Sequence, residues 1–409
     1  MRIRIRKKYL FYFLLVISSV IAAAGASLDS VISYFYIKNP WVFGVSIFLV
    51  GVLITLLLSL LLSIPAGGKS IGSRIDPSFR RVRLIRKSEV GYHVMAGIGN
   101  AVTSLGYFYV VSAFIDPSAV LPFFQVVILY LLMVESLSEK DSPTLAEIES
   151  SVIVTFGAIM ASISLSGEIN IMAMLVIFFV MNPGWVLLAT YQRKLKLMRI
   201  DERHNDAINI RLWNVIFTTA FVSVIIFFYN KDYLLEAIDA ALKYYSWLSL
   251  TMGVAFFSYV LYIRALGMGK ASISQAVKAS TIIFAIPFSL LLSCYMSFSF
   301  SASPTLLIIK IMGIVLVVMG VVTFALTEVK AYVFINAKGD CSIEELMNKI
   351  WHIRGIAAVS ALAGKHDILA KVRIRTLGKG YERIIRRLGG IEGIEKFSWQ
   401  SVLKEWEEI

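Results

Sequence analysis

The feature that most constrains this chain is a series of ten apolar runs, each close to the length that crosses a membrane as a helix. The hydrocarbon core of a bilayer is about 30 Å thick, which a helix of roughly 20 apolar residues spans. The composition agrees, because 58% of the 409 residues are hydrophobic and 16% are charged. The sequence therefore predicts a polytopic α-helical membrane protein with ten transmembrane helices. The runs lie near residues 9–27, 41–64, 90–114, 118–136, 149–166, 170–191, 208–229, 246–267, 271–293 and 305–327.

Basic residues between the runs indicate the orientation in the membrane. Segments on the outer side carry only Lys38, Lys231 and Lys243 if the N-terminus is inside. Lys and Arg are retained on the cytoplasmic side, so we expect a protein of the cytoplasmic membrane with both termini in the cytoplasm. The net charge of +13 follows this topology and does not by itself indicate nucleic acid. The basic residues on the inner side are Arg2, Arg4, Arg6, Lys7, Lys8, Lys69, Arg74, Arg80, Arg81, Arg83, Arg86, Lys87, Lys140, Arg193, Lys194, Lys196, Arg199, Arg203 and Lys270.

The chain also repeats one pattern of spans and turns. Each half has a span that ends in a tight polar turn, then a span that opens with a small residue and serine, then Ser-Pro-Thr and a last span. Five spans is an odd number, so residues 1–166 and 167–327 must sit in opposite orientations. Such a 5+5 inverted repeat is the architecture of many secondary transporters.

Two short segments carry a resemblance to a known family. Asp116-Pro117-Ser118-Ala119 and Lys270-Ala271-Ser272-Ile273 open the fourth and ninth spans. With the topology, they resemble the EamA branch of the drug/metabolite transporter superfamily. Glu135 matches a Gly-Glu position of that family, although Val134 replaces the glycine. The resemblance implies a transporter of small metabolites.

After residue 326 the hydrophobic period changes and predicts a separate α/β domain. The pattern indicates strand, helix, strand, strand, helix and strand, a ferredoxin-like βαββαβ domain over residues 330–409. The segments are 330–337, 342–352, 356–363, 368–375, 379–388 and 394–402.

The turn Ala363-Gly364-Lys365-His366-Asp367 resembles the Gly-x-x-Asp turn of the Lrp/AsnC-type effector-binding (RAM) domain. Arg354-Gly355-Ile356 and Glu392-Gly393-Ile394 are similar to the strand entries of that family. The resemblance implies a homodimer that binds a small effector, often an amino acid, at Gly364 and Asp367. Two simpler interpretations stay open: an ordinary hairpin turn, and a domain that only dimerises. No helix-turn-helix precedes the domain, so we expect no nucleic-acid partner.

Lys278 is the leading candidate for substrate binding. It lies eight residues from Lys270, which places it about 12 Å into the membrane. Ser274, Gln275 and Thr281 share its helical face and form a polar stripe that should face protein or water. An ionisable group at this depth is costly and indicates a functional site, here for a carboxylate or phosphate. The alternative is that the side chain snorkels to the head groups.

Further polar groups fall at a similar depth in other spans: Gln125, Asn182 and Asn100. Inverted-repeat transporters bind substrate near the midplane, although each amide could instead join two helices by a hydrogen bond. Asn182-Pro183-Gly184 should break or kink the sixth span, either for packing or to expose backbone dipoles. Four tyrosines could line the path: Tyr107, Tyr109, Tyr259 and Tyr262.

The sequence holds no Gly-rich phosphate loop, metal-ligand pair or nucleophile motif, so we expect no enzyme, cofactor or metal. The leading hypothesis is a secondary transporter, an exporter of small polar metabolites such as amino acids, regulated or dimerised by the C-terminal domain. The rival hypothesis is a membrane-anchored sensor without transport. A membrane-embedded enzyme is a third interpretation, disfavoured because no acid/base pair accompanies Lys278.

Overall fold

The structure is a computed structural model with two compact units. It describes residues 7–113, 124–138, 145–161, 171–200, 203–296, 304–326, 328–339, 341–353, 355–375 and 380–401. The first, helical unit comprises Met1–Leu131 and Ile153–Met319. The C-terminal unit comprises Leu132–Val152 and Gly320–Ile409.

Six helices are long and apolar enough to cross a membrane, which indicates a membrane-embedded protein. They are α1, α2, α3, α6, α7 and α9 in the numbering below. The helices of the four remaining apolar runs are not among these six, so ten spans and the inverted repeat stay predictions. The motif at 116–119 lies outside the described residues. In chain order the helices are α1 (Lys7–Phe35), α2 (Pro40–Leu62), α3 (Lys87–Ala113), α4 (Val127–Ser138), α5 (Leu145–Ala161), α6 (Ile171–Leu197), α7 (Ala207–Tyr229), α8 (Asp232–Lys243), α9 (Tyr245–Leu266), α10 (Ala271–Lys278), α11 (Thr281–Met296), α12 (Pro304–Leu326), α13 (Ile343–Trp351) and α14 (Gly380–Gly389).

Two of the apolar runs are interrupted by turns at matching places. Ala279 and Ser280 separate α10 from α11, and the turn residues Gln125 and Val126 precede α4. The sixth run is one helix instead, with a π-helical turn at Ile177–Met181. The break predicted at residues 182–184 thus takes the form of a widened turn just before Pro183, which has no N–H to donate to the carbonyl oxygen four residues earlier.

Helices α3 and α6 approach each other through glycine. A Cβ on Gly99 would lie 2.6 Å from the carbonyl oxygen of Gly184 and 2.7 Å from the backbone nitrogen of Leu188. A Cβ on Gly184 would lie 2.6 Å from Thr103 Oγ1. Only glycine permits such backbone contact between membrane helices.

The loop between α2 and α3 is tied to the start of α7 by Asp76. Its Oδ2 accepts hydrogen bonds from Lys196 Nζ at 2.6 Å and from the backbone nitrogen of Ala207 at 2.7 Å. Asp206 caps α7 by accepting from the backbone nitrogen of Asn209 at 2.7 Å. The first turn of α7 is therefore fixed by two carboxylates, which suit a helix N-terminus. Short strands flank this region: β1 (Pro65–Ala66) pairs with β2 (Lys69–Ser70), and β3 (Arg199–Ile200) pairs with β4 (Arg203–His204).

Arg83 makes a second tie between the same segments. Its guanidinium donates to both oxygens of Glu89 at 2.6 and 2.7 Å, and also to Asn205 Oδ1 at 2.8 Å. Asn205 Nδ2 in turn donates to Glu89 Oε1 at 2.7 Å. Such a closed, charge-assisted network holds the loop before α3 against the loop before α7.

The C-terminal unit contains a four-stranded antiparallel sheet. Its elements are β5 (Glu328–Ala337), α13, β6 (Ile356–Ala361), β7 (Ile368–Arg375), α14 and β8 (Ile394–Ser401), in the βαββαβ order that the sequence predicts. The strand order is β6-β7-β5-β8, with every pair antiparallel. Alternate strand residues pack beneath the apolar faces of both helices and form a core of their own. The core includes Val333, Ile335, Leu346, Ile350, Ile368, Ala370, Val372, Ile384 and Leu388.

Candidate functional site

A cavity of about 180 Å³ lies inside the helical unit and collects most of the predicted site residues. It is bordered by α1, α2, α3, α6, α7, α9, α10, the first residue of α11 and the turn at Gln125. Five of the seven predicted substrate-binding residues line it: Lys278, Gln275, Gln125, Asn100 and Thr281.

Lys278 ends α10, and its ammonium is surrounded by three aromatic rings. Nζ lies 4.4 Å from the ring centroid of Tyr262 and 5.1 Å from those of Trp185 and Tyr259. Within the described residues, no carboxylate lies within ion-pair distance of Nζ. Cation–π contacts and the negative end of α10 can hold a buried ammonium without an acid. The side chain is 7% exposed, so it faces the cavity instead of snorkelling.

Arg211 is a second cation of the cavity, which the sequence analysis missed. It lies in the first turns of α7, is 2% exposed and lines the cavity. Its Cζ lies 4.1 Å from the ring centroid of Tyr259. Its Nε and Nη1 have no hydrogen-bond partner among the described residues. Arg211 could have been found from the sequence, because it is a charged residue near the start of the seventh apolar run.

The amide side chains join the two broken runs. Gln275 Nε2 donates to Gln125 Oε1 at 3.4 Å, and Gln275 Oε1 accepts from Trp185 Nε1 at 3.2 Å. Asn100 Nδ2 donates to Thr218 Oγ1 at 2.8 Å while its side chain borders the cavity. These amides both shape the cavity and hold helices together.

Asp29 supplies the cavity's acidic group within the described residues. Its carboxylate accepts hydrogen bonds from Thr251 Oγ1 at 2.8 Å and Tyr107 Oη at 3.1 Å. On α9, Thr251 lies eight residues before Tyr259, a rise of about 12 Å, and Asp29 forms no ion pair with either cation. The sequence analysis missed Asp29 because the first apolar run was ended at residue 27, whereas α1 continues to Phe35.

Two predicted site residues lie outside the cavity lining. Ser274 Oγ donates to the carbonyl oxygen of Lys270 at 2.9 Å, within its own helix. Asn182 is fully buried, and neither polar atom of its side chain has a hydrogen-bond partner among the described residues. Thr281, which does line the cavity, donates to the carbonyl oxygen of Lys278 at 2.6 Å and so closes the helix break.

In the C-terminal unit, Asp367 holds the turn between β6 and β7. Its Oδ2 accepts from the backbone nitrogen of Ala337 at 2.8 Å, and its own nitrogen donates to Ile335 O at 3.1 Å. Gly364 has a φ of 154°, and an added Cβ would meet nothing within 4 Å, so the backbone conformation of the turn and not close packing favours glycine here. These contacts favour the hairpin interpretation, while effector binding at Gly364 and Asp367 stays a prediction. Arg354 lies outside the described residues.

Comparisons with known proteins give no family for this chain. No family model and no curated protein sequence matches it. One solved structure, described only as "Crystal structure of protein", aligns with 78% of this chain and 98% of its own, at 12% identity and a TM-score of 0.47. A likeness of this size carries no argument about function.

Proposed function

We propose that this protein is a secondary transporter whose substrate-binding site contains Lys278 and Arg211. The observation that carries the proposal is that two buried cations, neither paired with a described carboxylate, line one cavity inside a bundle of long apolar helices. Taking charges out of water costs several kcal/mol for each ion unless an opposite charge compensates. An anionic substrate would supply that compensation.

The surrounding chemistry suits a small polar metabolite. The cavity offers amide groups at Gln125, Gln275 and Asn100, and aromatic surfaces at Trp185 and Tyr259. Such a mixture of apolar walls and a few polar groups is typical of small-molecule sites. The substrate class is therefore metabolites that bear a carboxylate or phosphate, with amino acids included, and the direction that we propose is export.

The matching helix breaks support the architecture that the sequence predicts. Gln125 lies nine residues after Asp116, and Ala279 lies nine residues after Lys270. Paired interruptions of this kind border the substrate sites of inverted-repeat transporters. A ten-span 5+5 repeat related to the EamA branch, in the cytoplasmic membrane with both termini inside, is the form that we propose. Transport would then rock the two halves around the cavity.

Flux into proteoliposomes tests the proposal. Lys278→Met should lower uptake of an anionic metabolite by at least about tenfold, because the substrate loses a charge-assisted contact. Lys194→Met is the control, since Lys194 is exposed on α6 and does not line the cavity. Wild-type flux in Lys278→Met, or no flux of any metabolite in the wild type, would contradict the proposal. The second result would favour a sensor without transport.

The self-contained core of the C-terminal sheet supports a separate regulatory domain. We propose that it resembles the Lrp/AsnC effector-binding domain in pairing into a homodimer and binding a small effector such as an amino acid. The segment 328–409 should be a soluble dimer by sedimentation and should give a calorimetric signal with an amino acid. If it pairs and binds nothing, only a dimerising role survives.

A further inference from the structure

We infer that Lys278 and Arg211 together bind a group with two negative charges, so that the substrates are dicarboxylates or phosphate monoesters. This inference rests on the proposed function and narrows its substrate class. It derives from the arrangement of the two cations and from the absence of a nearby counter-charge among the described residues.

The two cations share one aromatic ring. Arg211 Cζ lies 4.1 Å and Lys278 Nζ 5.1 Å from the centroid of Tyr259, so their separation cannot exceed the sum of these distances. Both side chains also line the same cavity. A ligand in the cavity near Tyr259 therefore meets both positive charges at once.

No described protein group neutralises this pair. Asp29 is the acidic residue of the described cavity lining, and its carboxylate already accepts hydrogen bonds from Thr251 and Tyr107. Thr251, which donates to Asp29, lies eight residues before Tyr259 on α9, a helix rise of about 12 Å, and Asp29 forms no ion pair with Lys278 or Arg211. Without direct contact, its charge compensates the cations weakly compared with a ligand that touches both.

Charge counting then separates the possible ligands. Two like charges close together in a dry site repel each other, and a ligand with one negative charge leaves one cation uncompensated. A dianion compensates both. The planar fork of Arg211 suits two oxygens of one carboxylate or phosphate, while Lys278 acts as a point charge on a further oxygen.

The same reasoning ranks amino acids. The ammonium of a neutral zwitterion would lie beside two cations, which opposes binding. Acidic amino acids carry a second carboxylate and can place both carboxylates at the pair. The amino acids that fit this site best are therefore the acidic ones.

Ligand pairs of equal shape and different charge test the inference. Calorimetry on the purified full chain at pH 7 would compare succinate with succinamate, and methyl phosphate with methyl sulfate. Methyl phosphate is then mostly dianionic, because its second pKa is about 6. Within at least one pair the dianion should bind about tenfold or more tightly than its monoanionic match. The pair that shows the preference identifies the dicarboxylate or the phosphate ester.

Substitutions at Arg211 assign the preference to the cation pair. Arg211→Gln keeps a polar amide without the charge, and the dianion preference should fall to below about threefold. Arg211→Lys keeps the charge and should retain the preference with weaker affinity for both ligands. Arg199→Gln, an exposed position on β3, should behave as the wild type.

The outcomes separate this inference from the proposed function. Equal binding within both pairs, together with Lys278-dependent flux of a monoanion, overturns the dianion inference and leaves the transporter proposal intact. A dianion preference that persists unchanged in Arg211→Gln also overturns it. Absence of binding by all four ligands and of any flux overturns both.

Discussion

Lys196 Nζ lies 2.6 Å from Asp76 Oδ2 and so joins the last turn of α6 to the loop before α3. Both side chains are nearly inaccessible, at 6% and 2% exposure. The same carboxylate holds the backbone nitrogen of Ala207, where α7 begins, four residues before Arg211. The ion pair lies outside the cavity lining, but its carboxylate contacts the first turn of the helix that carries Arg211.

Lys196→Met should therefore destabilise the protein strongly. Removing one partner of a buried ion pair lowers the free energy of unfolding by about 3–5 kcal/mol, because the other charge stays buried and unpaired. Thermal unfolding in detergent measures the loss, with Lys194→Met, exposed on the same helix, as the control. The double variant Lys196→Met with Asp76→Leu should recover part of the stability. An unfolding temperature of Lys196→Met equal to that of the control would show that the pair does not stabilise the fold.

The stability that Asp76 contributes should disappear in acid. Burial raises the pKa of this carboxyl, but the Lys196 ammonium and the hydrogen bonds from Lys196, Ala207 and Ser78 outweigh burial and hold the pKa below its usual value. A carboxyl whose pKa is lower in the folded than in the unfolded protein stabilises the fold at pH values above its unfolded pKa of about 3.9. This stabilisation is lost as the pH falls through the folded-state pKa. The difference in unfolding temperature between wild type and Asp76→Asn should shrink as pH is lowered below about 4.

Asp206 provides a control, because its pKa is shifted in the opposite direction from that of Asp76. Burial raises the pKa of this carboxyl despite its hydrogen bonds from Asn209. A carboxyl whose pKa is higher in the folded than in the unfolded protein stabilises the fold at low pH. This stabilisation is lost as the pH rises through the folded-state pKa. The wild type should therefore gain stability relative to Asp206→Asn as pH falls. Parallel pH trends for the two variants would contradict the assignment of Asp76 to an ion pair.

The site residues whose positions depend only on helix geometry could be predicted from the sequence. Counting helix rise from Lys270 and Asp116 placed Lys278 and Gln125 at one depth, and both line the cavity. The C-terminal elements followed from the change in hydrophobic period. Rise and period are properties of the local backbone, so a single sequence contains them.

The remaining features depend on contacts between distant segments. The break after Lys278 contains no proline. The carbonyl oxygen of Lys278 accepts hydrogen bonds from Thr281 Oγ1 and, at 3.2 Å, from Ser19 Oγ, which is more than two hundred residues away in the sequence. Arg211 is buried one turn after Ala207, whose backbone nitrogen donates to Asp76, and no local pattern indicates this contact. Asn182 was placed in the site by depth alone, and depth does not determine which side of a helix faces the cavity.

Asn182→Leu should leave transport unchanged and raise the unfolding temperature. Neither polar atom of Asn182 has a partner among the described residues, and an unsatisfied buried amide costs about 1–3 kcal/mol, which an apolar side chain of similar size avoids. Asn100→Leu is the contrast, since it removes the hydrogen bond to Thr218 and a group from the cavity wall. It should lower both stability and flux. A higher apparent substrate constant in Asn182→Leu would instead return Asn182 to the site, as the sequence predicts.

Two glycines of α3 should respond in opposite ways to the same substitution. A Cβ on Gly99 would meet backbone atoms of Gly184 and Leu188 at 2.6 and 2.7 Å, and backbone atoms cannot rotate away as a side chain can. A Cβ on Gly91 would meet nothing within 4 Å. Gly91→Ala should therefore stabilise the helix by up to about 1 kcal/mol, whereas overpacking in Gly99→Ala should cost about 1–3 kcal/mol.

The same pair of variants links packing to transport. Gly99 precedes Asn100 in the cavity wall, and Gly184 precedes Trp185, one of the rings around Lys278. Pushing α3 away from α6 therefore moves both walls, so Gly99→Ala should lose flux as well as stability, while Gly91→Ala should keep wild-type flux. Thermal unfolding in detergent and proteoliposome flux on the same preparations measure the two effects. If Gly99→Ala loses stability but transports at the wild-type rate, the close approach of α3 and α6 holds the bundle together without shaping the site.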